Sequence, residues 1–325
     1  MRPSARSPGP ALPAFGRRVT VAPRPATEPE NSAMLRVALC TLLLAPLAAR
    51  ADEAYPKPDL LVEPAALAKS EEAKTFVVLD ARSREKYAKG HVPGARWVDH
   101  AEWAKGFADG KDADAWGKRI GALGVGADSR VVVYDDNFSK DAARVWWVLR
   151  YWGVADVRLL NGGWVAWEKG GHPTETAEAK PAPVEFVAKA QVGRLATKDD
   201  LLKSLDGKTV QIVDARSEKE FCGVEKQANK RFGAIPGATH LEWIDLLEKD
   251  TQRFKEPAKL KRLFDGAGLS LDKPTATHCQ SGGRAAVMAF GLELMGAKDV
   301  SNYYKSWSEW GNADDTPVVT PKKKP

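Results

Sequence analysis

Residues 77–87 read VVLDARSREKY, and residues 211–221 read QIVDARSEKEF. Each copy begins with a short apolar run that ends in Asp-Ala-Arg, which predicts a buried β-strand followed by a turn. A second matching pair follows in the same order, GHVPGARWVDHAEW from residue 90 and GAIPGATHLEWIDL from residue 233. The chain is therefore predicted to contain two copies of one folding module.

The correspondence continues to the end of both copies. SRVVVYDDNF from residue 129 matches KPTATHCQSG from residue 273, and LLNGGWVAWEKGGHP from residue 159 matches VSNYYKSWSEWGNADDTP from residue 300. In each copy short apolar strands alternate with helices, which is typical of a parallel sheet flanked by helices on both faces. We predict an α/β protein, and we expect its Trp-rich helix after residue 142 to pack in a core.

The repeats also predict the domain organisation. We place the first domain at residues 55–172 and the second at residues 186–319. Residues 173–185, PTETAEAKPAPVE, are rich in Pro, Glu and Ala and have little to bury, so they are predicted to form a linker.

The first part of the chain has a different character. Residues 34–51 combine a short positive start, an apolar run and small residues, a pattern that predicts a secretory signal peptide cleaved near Ala51. The mature protein would be periplasmic or secreted, with no stable membrane insertion, because the apolar run is shorter than a bilayer-spanning helix. Residues 1–33, rich in Pro, Arg and Ser, are predicted to be disordered or to precede the true start at Met34.

Charge does not indicate a nucleic-acid partner. The chain carries a formal net charge of +6. Residues 1–51 contain seven Arg and two Glu, so five of the six surplus positive charges lie there. The rest of the chain is nearly neutral, which argues against a surface that follows a phosphate backbone.

The two copies differ at the position where chemistry is expected. Asp135 follows the second strand of the first copy, and Cys279 takes its place in the second copy. A carboxylate cannot act as a sulfur nucleophile, so only the second copy is predicted to be catalytic. The second copy also has nine extra residues within 222–233, between Asp-Ala-Arg and Pro-Gly. This insertion either forms a lip that faces the substrate or is a tolerated surface loop.

Residues 279–284, CQSGGR, are called the cysteine loop here. Gly282 and Gly283 allow the backbone to curl, so that successive N–H groups and the start of the next helix can surround one anion. Together with Arg284, such a loop would stabilise a thiolate at Cys279 and make it a nucleophile. The alternative is an inert buried cysteine. His278 is predicted to be structural, because alternate residues of a strand point to opposite faces.

The spacing within the loop favours sulfur over phosphate. Cysteine phosphatases also place His-Cys before a glycine-bearing loop, but with one residue more before the arginine; here four residues separate Cys279 from Arg284. A smaller ring of amides suits a single sulfur atom better than a tetrahedral phosphate. No Cys/His cluster has metal-ligand spacing, so neither a metal nor another cofactor is expected.

These features resemble the rhodanese superfamily, specifically its two-domain thiosulfate and 3-mercaptopyruvate sulfurtransferases. The resemblance rests on the paired Asp-Ala-Arg-Ser and Pro-Gly segments, RVWWVLRYWG, LLNGGW, the cysteine loop and SWSEWG, and it covers residues 60–319. It implies two rhodanese domains, the first without its cysteine, and a persulfide formed on Cys279 from a small sulfur donor. A thiophilic acceptor such as cyanide or a thiol would then take the sulfur.

The resemblance also assigns the other candidate residues. The backbone of the cysteine loop would bind the persulfide, and Arg284 would bind the donor anion with Lys230 or Arg231 in support; the candidate substrate-binding residues are Gln280, Ser281, Gly282, Gly283, Arg284, Lys230 and Arg231. Relatives usually carry an arginine where this chain has Glu220. The terminal Arg284 favours thiosulfate as donor, whereas the Ser281 hydroxyl is similar to the mercaptopyruvate pattern.

Two further readings stay open at this point. The protein could be a persulfide carrier that delivers sulfur with little turnover of small acceptors. It could also be a redox or binding module in which Cys222 and Cys279 form a disulfide. The Asp214 and Arg216 pair recurs in the first copy as Asp80 and Arg82, which favours a role in the fold over a role in catalysis.

Overall fold

The structure is a computed structural model that describes residues 54–69, 71–107 and 110–322. Residues 1–33 and the predicted signal peptide at 34–51 lie outside this part of the chain. Within it, no helix is both long enough and apolar enough to cross a bilayer.

The first repeat forms a five-stranded sheet in the order β1-β5-β4-β2-β3, in which every pairing is parallel. Its strands are β1 (Leu61–Val62), β2 (Phe76–Asp80), β3 (Arg96–Trp97), β4 (Arg130–Tyr134) and β5 (Asp156–Leu160). Its helices are α1 (Pro64–Lys69), α2 (Arg84–Lys89), α3 (His100–Gly106), α4 (Ala113–Ala122), α5 (Lys140–Tyr151) and α6 (Gly163–Lys169). Short 3-10 turns lie at Pro58–Leu60 and Glu71–Thr75.

The second repeat repeats this arrangement with a four-stranded parallel sheet in the order β7-β6-β8-β9. Its strands are β6 (Gln211–Asp214), β7 (Thr239–His240), β8 (Thr275–His278) and β9 (Val300–Asn302). Its helices are α7 (Lys198–Gly207), α8 (Glu218–Phe221), α9 (Pro257–Gly266), α10 (Gly283–Leu294) and α11 (Ser306–Trp310), with 3-10 turns at Val192–Arg194 and Trp243–Leu246. The fifth strand position is reduced to a single parallel bridge between Leu195 and Asn302. Two parallel sheets flanked by helices confirm the predicted fold class.

The segment between the sheets lies along the first repeat. His91 and Glu175 form an antiparallel bridge, and the N–H of Val184 donates to the Gly121 carbonyl at 3.0 Å. This attachment continues beyond residue 185, because the N–H of Gln191 donates to the Tyr151 carbonyl at 2.7 Å. The predicted domain bounds of 55–172 and 186–319 remain predictions, but residues 186–191 lie with the first repeat.

The two repeats share one apolar core. Helices α5 and α10 pack against each other in a single cluster of buried side chains drawn from both repeats, and the rings of Trp146 and Phe290 meet edge to face at 5.0 Å. Smaller clusters cover the other face of each sheet. Every residue of α10 except Arg284 is buried, as expected for a helix that is apolar on all sides. The Trp-rich α5 is therefore a core helix, as its sequence predicts.

The repeated Asp-Ala-Arg segments form the same buried ion pair in both repeats. Arg82 donates to Asp80 at 2.6 Å and to the Gly90 carbonyl at 2.6 Å, while Arg216 donates to Asp214 at 2.5 Å and to the Gly233 carbonyl at 2.7 Å. The pair thus ties the end of a strand to the loop before the Pro-Gly turn. Because the repeat with no cysteine has it too, its role lies in the fold.

Candidate active site

Cys279 lies where the sheet of the second repeat opens to solvent. It directly follows β8, and α10 begins four residues later at Gly283. The carboxyl ends of parallel strands are the usual ligand-binding edge of an α/β sheet. Cys279 is only 1% exposed, yet it lines a cavity of about 510 Å³. A reagent that reaches its sulfur must therefore be small.

The cysteine loop supplies a large part of the cavity wall. The loop residues that line the cavity are Cys279, Gln280, Ser281, Gly283 and Arg284. Gly282 does not line it, but its φ of +84° lies in the left-handed region. A Cβ added there would lie 2.8 Å from the Tyr304 carbonyl oxygen. Glycine is therefore required for the turn that leads from the cysteine into α10.

Helix α11 and the last residue of β9 hold the cysteine loop through hydrogen bonds. The N–H of Cys279 donates to the Ser306 hydroxyl at 3.0 Å, and the Cys279 carbonyl accepts from the N–H of Trp307 at 3.0 Å. The Gln280 carbonyl accepts from Ser308 at 3.0 Å, and the Gly282 carbonyl accepts from the Asn302 side chain at 3.0 Å. The loop carbonyls are thus occupied by protein donors.

The backbone N–H groups of the cysteine loop after Cys279, unlike its carbonyls, have no protein partner among the described residues. Among the described residues, no acceptor binds the N–H groups of residues 280–284. In the first repeat, the N–H groups of the corresponding loop donate to Asp135, an aspartate of the loop itself. The Asp135 carboxylate accepts the N–H groups of Asn137 and Ser139, both at 2.9 Å, and those of Asp141 and Ala142, both at 2.8 Å. In the first repeat the strand-to-helix turn therefore binds a carboxylate through four backbone N–H groups.

The ionisation of Asp135 reflects two opposing effects. Its complete burial, with the nearby Asp141 carboxylate, raises the pKa of Asp135 to about 6, whereas hydrogen bonds from the N–H groups of Ala142, Asn137 and Asp141 lower it. The carboxylate is therefore mostly ionised at neutral pH. The first repeat carries this carboxylate where the second repeat carries a thiol.

Arg284 is already paired. Its guanidinium donates to both carboxylate oxygens of Glu220, at 2.6 and 2.8 Å. Burial tends to raise the pKa of Glu220, but Arg284 and Ser217 outweigh this, so the pKa is lowered. The positive charge expected to attract a donor anion is thus largely compensated by Glu220.

The first repeat contributes two other cations to the cavity. Lys140 and Arg144, one turn apart on α5, line it beside Cys279. The Arg144 guanidinium donates to the Ser281 carbonyl at 2.7 Å and to the Tyr304 hydroxyl at 3.0 Å. A Cβ on Gly283 would lie 2.5 Å from Arg144 Nη2. The second glycine of the loop therefore makes room for an arginine of the other repeat.

The insertion reaches the cavity, but not through its cations. Glu225 and Gln227 line the cavity, and the Asn229 and Gln280 amides exchange hydrogen bonds of 3.1 and 3.3 Å. Lys230 and Arg231 are not brought into it. The ammonium group of Lys230 lies 3.7 Å from Asp314, and the Arg231 guanidinium donates to three backbone carbonyls, those of Trp310, Ala313 and Thr316. The insertion forms a lip, while these two candidates bind the carboxyl-terminal segment instead.

His278 is fully buried, and within the described chain neither of its ring nitrogens has a hydrogen-bond partner. Desolvation lowers the pKa of His278 to about 4, despite the Asp214 carboxylate 3.5 Å away. A neutral imidazole packed inside the sheet fits the structural role predicted for it.

Cys222 and Cys279 are both thiols in the structure, and no disulfide joins them. Both are buried. This arrangement leaves Cys279 available as a nucleophile and does not support the redox-module reading.

Sequence reasoning missed the residues that reach the cavity from a distance. Lys140, Arg144 and Trp243 lie 36 to 139 positions from Cys279 along the chain, and no local pattern connects them to it. One feature of the sequence indicated the partner of Arg284. Glu220 takes the place of the arginine expected from relatives, and a buried carboxylate near Arg284 would form an ion pair with it.

Comparison with known proteins identifies the family. The family model described as "Rhodanese-like domain" matches twice, at residues 63–170 and 197–313. A thiosulfate sulfurtransferase of Mus musculus is 34% identical over 70% of this chain and 80% of its own length. The 3-mercaptopyruvate sulfurtransferase of Homo sapiens is 32% identical over 70% of this chain and 79% of its own.

A solved structure shows the same architecture. The crystal structure of SseA from Escherichia coli, described with the rhodanese fold of 3-mercaptopyruvate sulfotransferases, superposes with a TM-score of 0.67 at 27% identity. The match covers 77% of this chain and 99% of that one. The protein has two parallel sheets, and a cysteine loop lies at the carboxyl edge of one of them. The chain belongs to the rhodanese family and contains two rhodanese-like domains.

Proposed function

We propose that this protein is a thiosulfate sulfurtransferase that carries sulfur as a persulfide on Cys279. The observation that carries the proposal is the difference between the two turns. In the first repeat the N–H groups of the turn bind the Asp135 carboxylate, and in the second the N–H groups of residues 280–284 bind no described acceptor. An anionic sulfur on Cys279 supplies the missing acceptor.

The first half of the reaction loads the enzyme. The Cys279 thiolate attacks the outer sulfur of thiosulfate, an S–S bond forms to Cys279, and the bond between the two thiosulfate sulfurs breaks. Sulfite leaves with the electron pair of that bond. The product is a Cys279 persulfide whose terminal sulfur is negatively charged, and the loop N–H groups stabilise that charge.

The second half returns the thiolate. A nucleophilic acceptor, such as cyanide or a thiolate, attacks the terminal persulfide sulfur, and the S–S bond to Cys279 breaks with its electron pair returning to the cysteine. Cyanide leaves as thiocyanate, and a thiolate leaves as a persulfide. Both donor and acceptor are small molecules, in keeping with a cavity of about 510 Å³.

Mass spectrometry tests the loading step. The purified protein is incubated with thiosulfate, separated from it and weighed. We expect a gain of one sulfur atom in the wild type and in Cys222→Ser, which keeps the loop intact, and none in Cys279→Ser. A wild type that gains no sulfur contradicts the proposal.

3-Mercaptopyruvate is the second candidate donor, and the position of Ser281 on the cavity wall supports it. Here the thiolate attacks the mercaptopyruvate sulfur, the C–S bond breaks, and the carbon keeps the electron pair as the pyruvate enolate, which then takes a proton. Steady-state rates with the two donors decide between them. A higher kcat/KM with mercaptopyruvate would replace thiosulfate in the proposal.

A persulfide carrier remains an alternative for the acceptor side, because Cys279 is 1% exposed and lies behind a lip. The test compares loading with turnover in the same preparation. Complete loading by thiosulfate with negligible formation of thiocyanate would favour a protein acceptor over cyanide or a small thiol.

The localisation is proposed from the sequence alone. The apolar run at 37–48, between Arg36 and the small residues that end at Ala51, supports export and cleavage near Ala51. Expression of the full chain in a Gram-negative bacterium, followed by fractionation and amino-terminal sequencing, tests this. A periplasmic product that begins near Asp52 is expected, and an uncleaved cytoplasmic product would contradict export.

A further inference from the structure

The cavity beside Cys279 contains more positive charge than the cysteine loop itself provides. Three basic side chains line it: Arg284 from the loop, and Lys140 and Arg144 from the first repeat. Arg284 forms a two-bond ion pair with Glu220, whose side chain is 4% exposed. Within the part of the chain that the structure describes, the basic side chains of the wall that lack a close carboxylate partner therefore lie on α5.

Arg144 is held by neutral oxygens. Its Nη1 donates to the Ser281 carbonyl and the Tyr304 hydroxyl, and no carboxylate among the described residues contacts its guanidinium. An arginine offers five N–H donors in a fixed plane. The bonds seen here use only Nη1, so the guanidinium is fixed in place while Nε and Nη2 remain available to an anion.

Lys140 adds a second positive charge beside Arg144. It lies four residues before Arg144 on α5, which places both side chains on one face of the helix. Its closest carboxylate is Asp141, with 3.9 Å between the charged atoms, a loose contact. The other carboxylate of the wall, Glu225, is exposed and accepts a hydrogen bond from Gln227 at 2.9 Å.

We infer that Arg144 and Lys140 of the first repeat form the subsite that binds the oxygen end of an anionic sulfur donor, the sulfonate group in the case of thiosulfate. This inference rests on the proposed function and names the residues that recognise its substrate. The donor's outer sulfur faces Cys279 while its oxygens contact α5. The repeat that carries Asp135 in place of the cysteine thus supplies two basic side chains to the active site.

Steady-state kinetics with two donors tests the subsite. Thiosulfate carries two negative charges and three oxygens, whereas methanethiosulfonate carries one charge, and a methyl group replaces one oxygen. For Arg144→Gln we expect KM for thiosulfate to rise by about tenfold or more, which corresponds to the loss of about 1.4 kcal/mol of binding. KM for methanethiosulfonate should rise much less, and kcat should change little with either donor. Lys140→Gln should show the same pattern with a smaller effect.

A matched control removes one charge elsewhere on the first repeat. Lys118 is exposed on α4 and does not line the cavity, so Lys118→Gln tests for a general effect of net charge. Its kinetic constants should equal those of the wild type. Arg144→Lys restores the charge without the planar fork, and it should recover part of the affinity for thiosulfate.

A binding measurement separates this inference from the proposed function. Sulfite, the product anion, is titrated into Cys279→Ser by calorimetry, and the measurement is repeated in the double variants with Arg144→Gln and Lys118→Gln. We expect only the Arg144 substitution to weaken binding. If wild type loads sulfur from thiosulfate but Arg144→Gln leaves both KM and sulfite affinity unchanged, the subsite is wrong and the proposed function stands. Equal losses of kcat with both donors would instead show that Arg144 only supports the loop, and this too overturns the inference.

Discussion

Asp135 occupies in the first repeat the position that Cys279 occupies in the second, and its carboxylate accepts the four backbone N–H bonds of its own turn. The turn of the first repeat therefore carries a built-in anion that already accepts four of its N–H groups. The helix after it, α5, contributes Lys140 and Arg144 to the cavity of the other repeat. One copy of the module carries the cysteine loop, and the other contributes to the wall of its cavity.

Replacing Asp135 tests whether its carboxylate stabilises the turn of the first repeat. Asp135→Ala removes the acceptor of four N–H groups in a buried site, so we expect the free energy of unfolding to fall by about 3 kcal/mol or more. Urea unfolding measures this change. Asp136→Ala is the matched control, because Asp136 forms only a partly exposed ion pair with Lys86, worth about 1 kcal/mol or less. Equal effects of the two substitutions would contradict the proposed role of the carboxylate.

The pH dependence of stability tests the neutral state of His278. Its pKa is about 4 in the folded protein and 6.5 ordinarily, so the unfolded chain binds this proton more readily than the folded one. The contribution of this pKa difference to the free energy of unfolding is fully present above pH 6.5 and is lost as the pH falls through about 4. The shift corresponds to roughly 3 kcal/mol.

We expect His278→Leu, which has no proton to bind, to show a shallower loss of stability between pH 6.5 and 4 than the wild type. Urea unfolding at several pH values within this range measures the difference. Parallel curves for the two proteins would mean that His278 is protonated in the folded state as readily as in the unfolded one.

The ion pair between Glu220 and Arg284 predicts a gain of affinity on substitution. Glu220→Gln leaves the Arg284 charge uncompensated in the cavity, so KM for thiosulfate should fall, by about threefold to tenfold. The same change should reduce stability, because Arg284 loses a bidentate partner. Glu225→Gln, at the exposed lip, should change KM less because solvent screens that carboxylate. An unchanged KM in Glu220→Gln would show that Arg284 does not interact with the donor.

The two glycines of the cysteine loop should respond differently to alanine. Gly283→Ala places a methyl group 2.5 Å from Arg144 Nη2, so the guanidinium must shift and its bonds to Ser281 and Tyr304 weaken. A side-chain end can move more easily than backbone, so stability should fall less than in Gly282→Ala, while KM for thiosulfate rises by about threefold or more. Gly282→Ala meets the Tyr304 backbone from a left-handed conformation, which costs about 1–2 kcal/mol before the clash is counted.

We therefore expect Gly282→Ala to lose kcat, since the turn that positions Cys279 must shift. Steady-state kinetics and thermal unfolding of both variants check these outcomes. A lower kcat in Gly283→Ala with unchanged KM would argue against the contact with Arg144.

The sequence predicted those parts of the site that depend on neighbours along the chain. The repeats, the strand before Cys279 and the glycines of its loop all follow from local patterns, and the fold class they indicate is the one observed. The anion-binding cations could not be found in this way. Arg144 meets Ser281 across 137 residues, and this contact depends on how α5 packs against α10, which a pattern of apolar residues does not specify.

Lys230 and Arg231 show the opposite limitation. Their charge and their place in the insertion beside the active repeat suggested substrate binding. Arg231 instead satisfies carbonyls at the end of the chain, from Trp310 to Thr316, and Lys230 lies near Asp314. A basic residue in a loop can bind backbone as readily as ligand, and only the folded chain shows which.

The packing of α5 against α10 has a consequence for the independence of the halves. Trp146 and Phe290 lie in a core to which both repeats contribute, and Arg194 joins Glu293 at its margin at 2.6 Å. A fragment that begins at residue 192 and lacks the first repeat would expose to water the apolar surface of α10 that packs against α5. Such a fragment would tend to aggregate. Because the two halves share this core, we expect truncation to the catalytic half to be a poor route to a smaller enzyme.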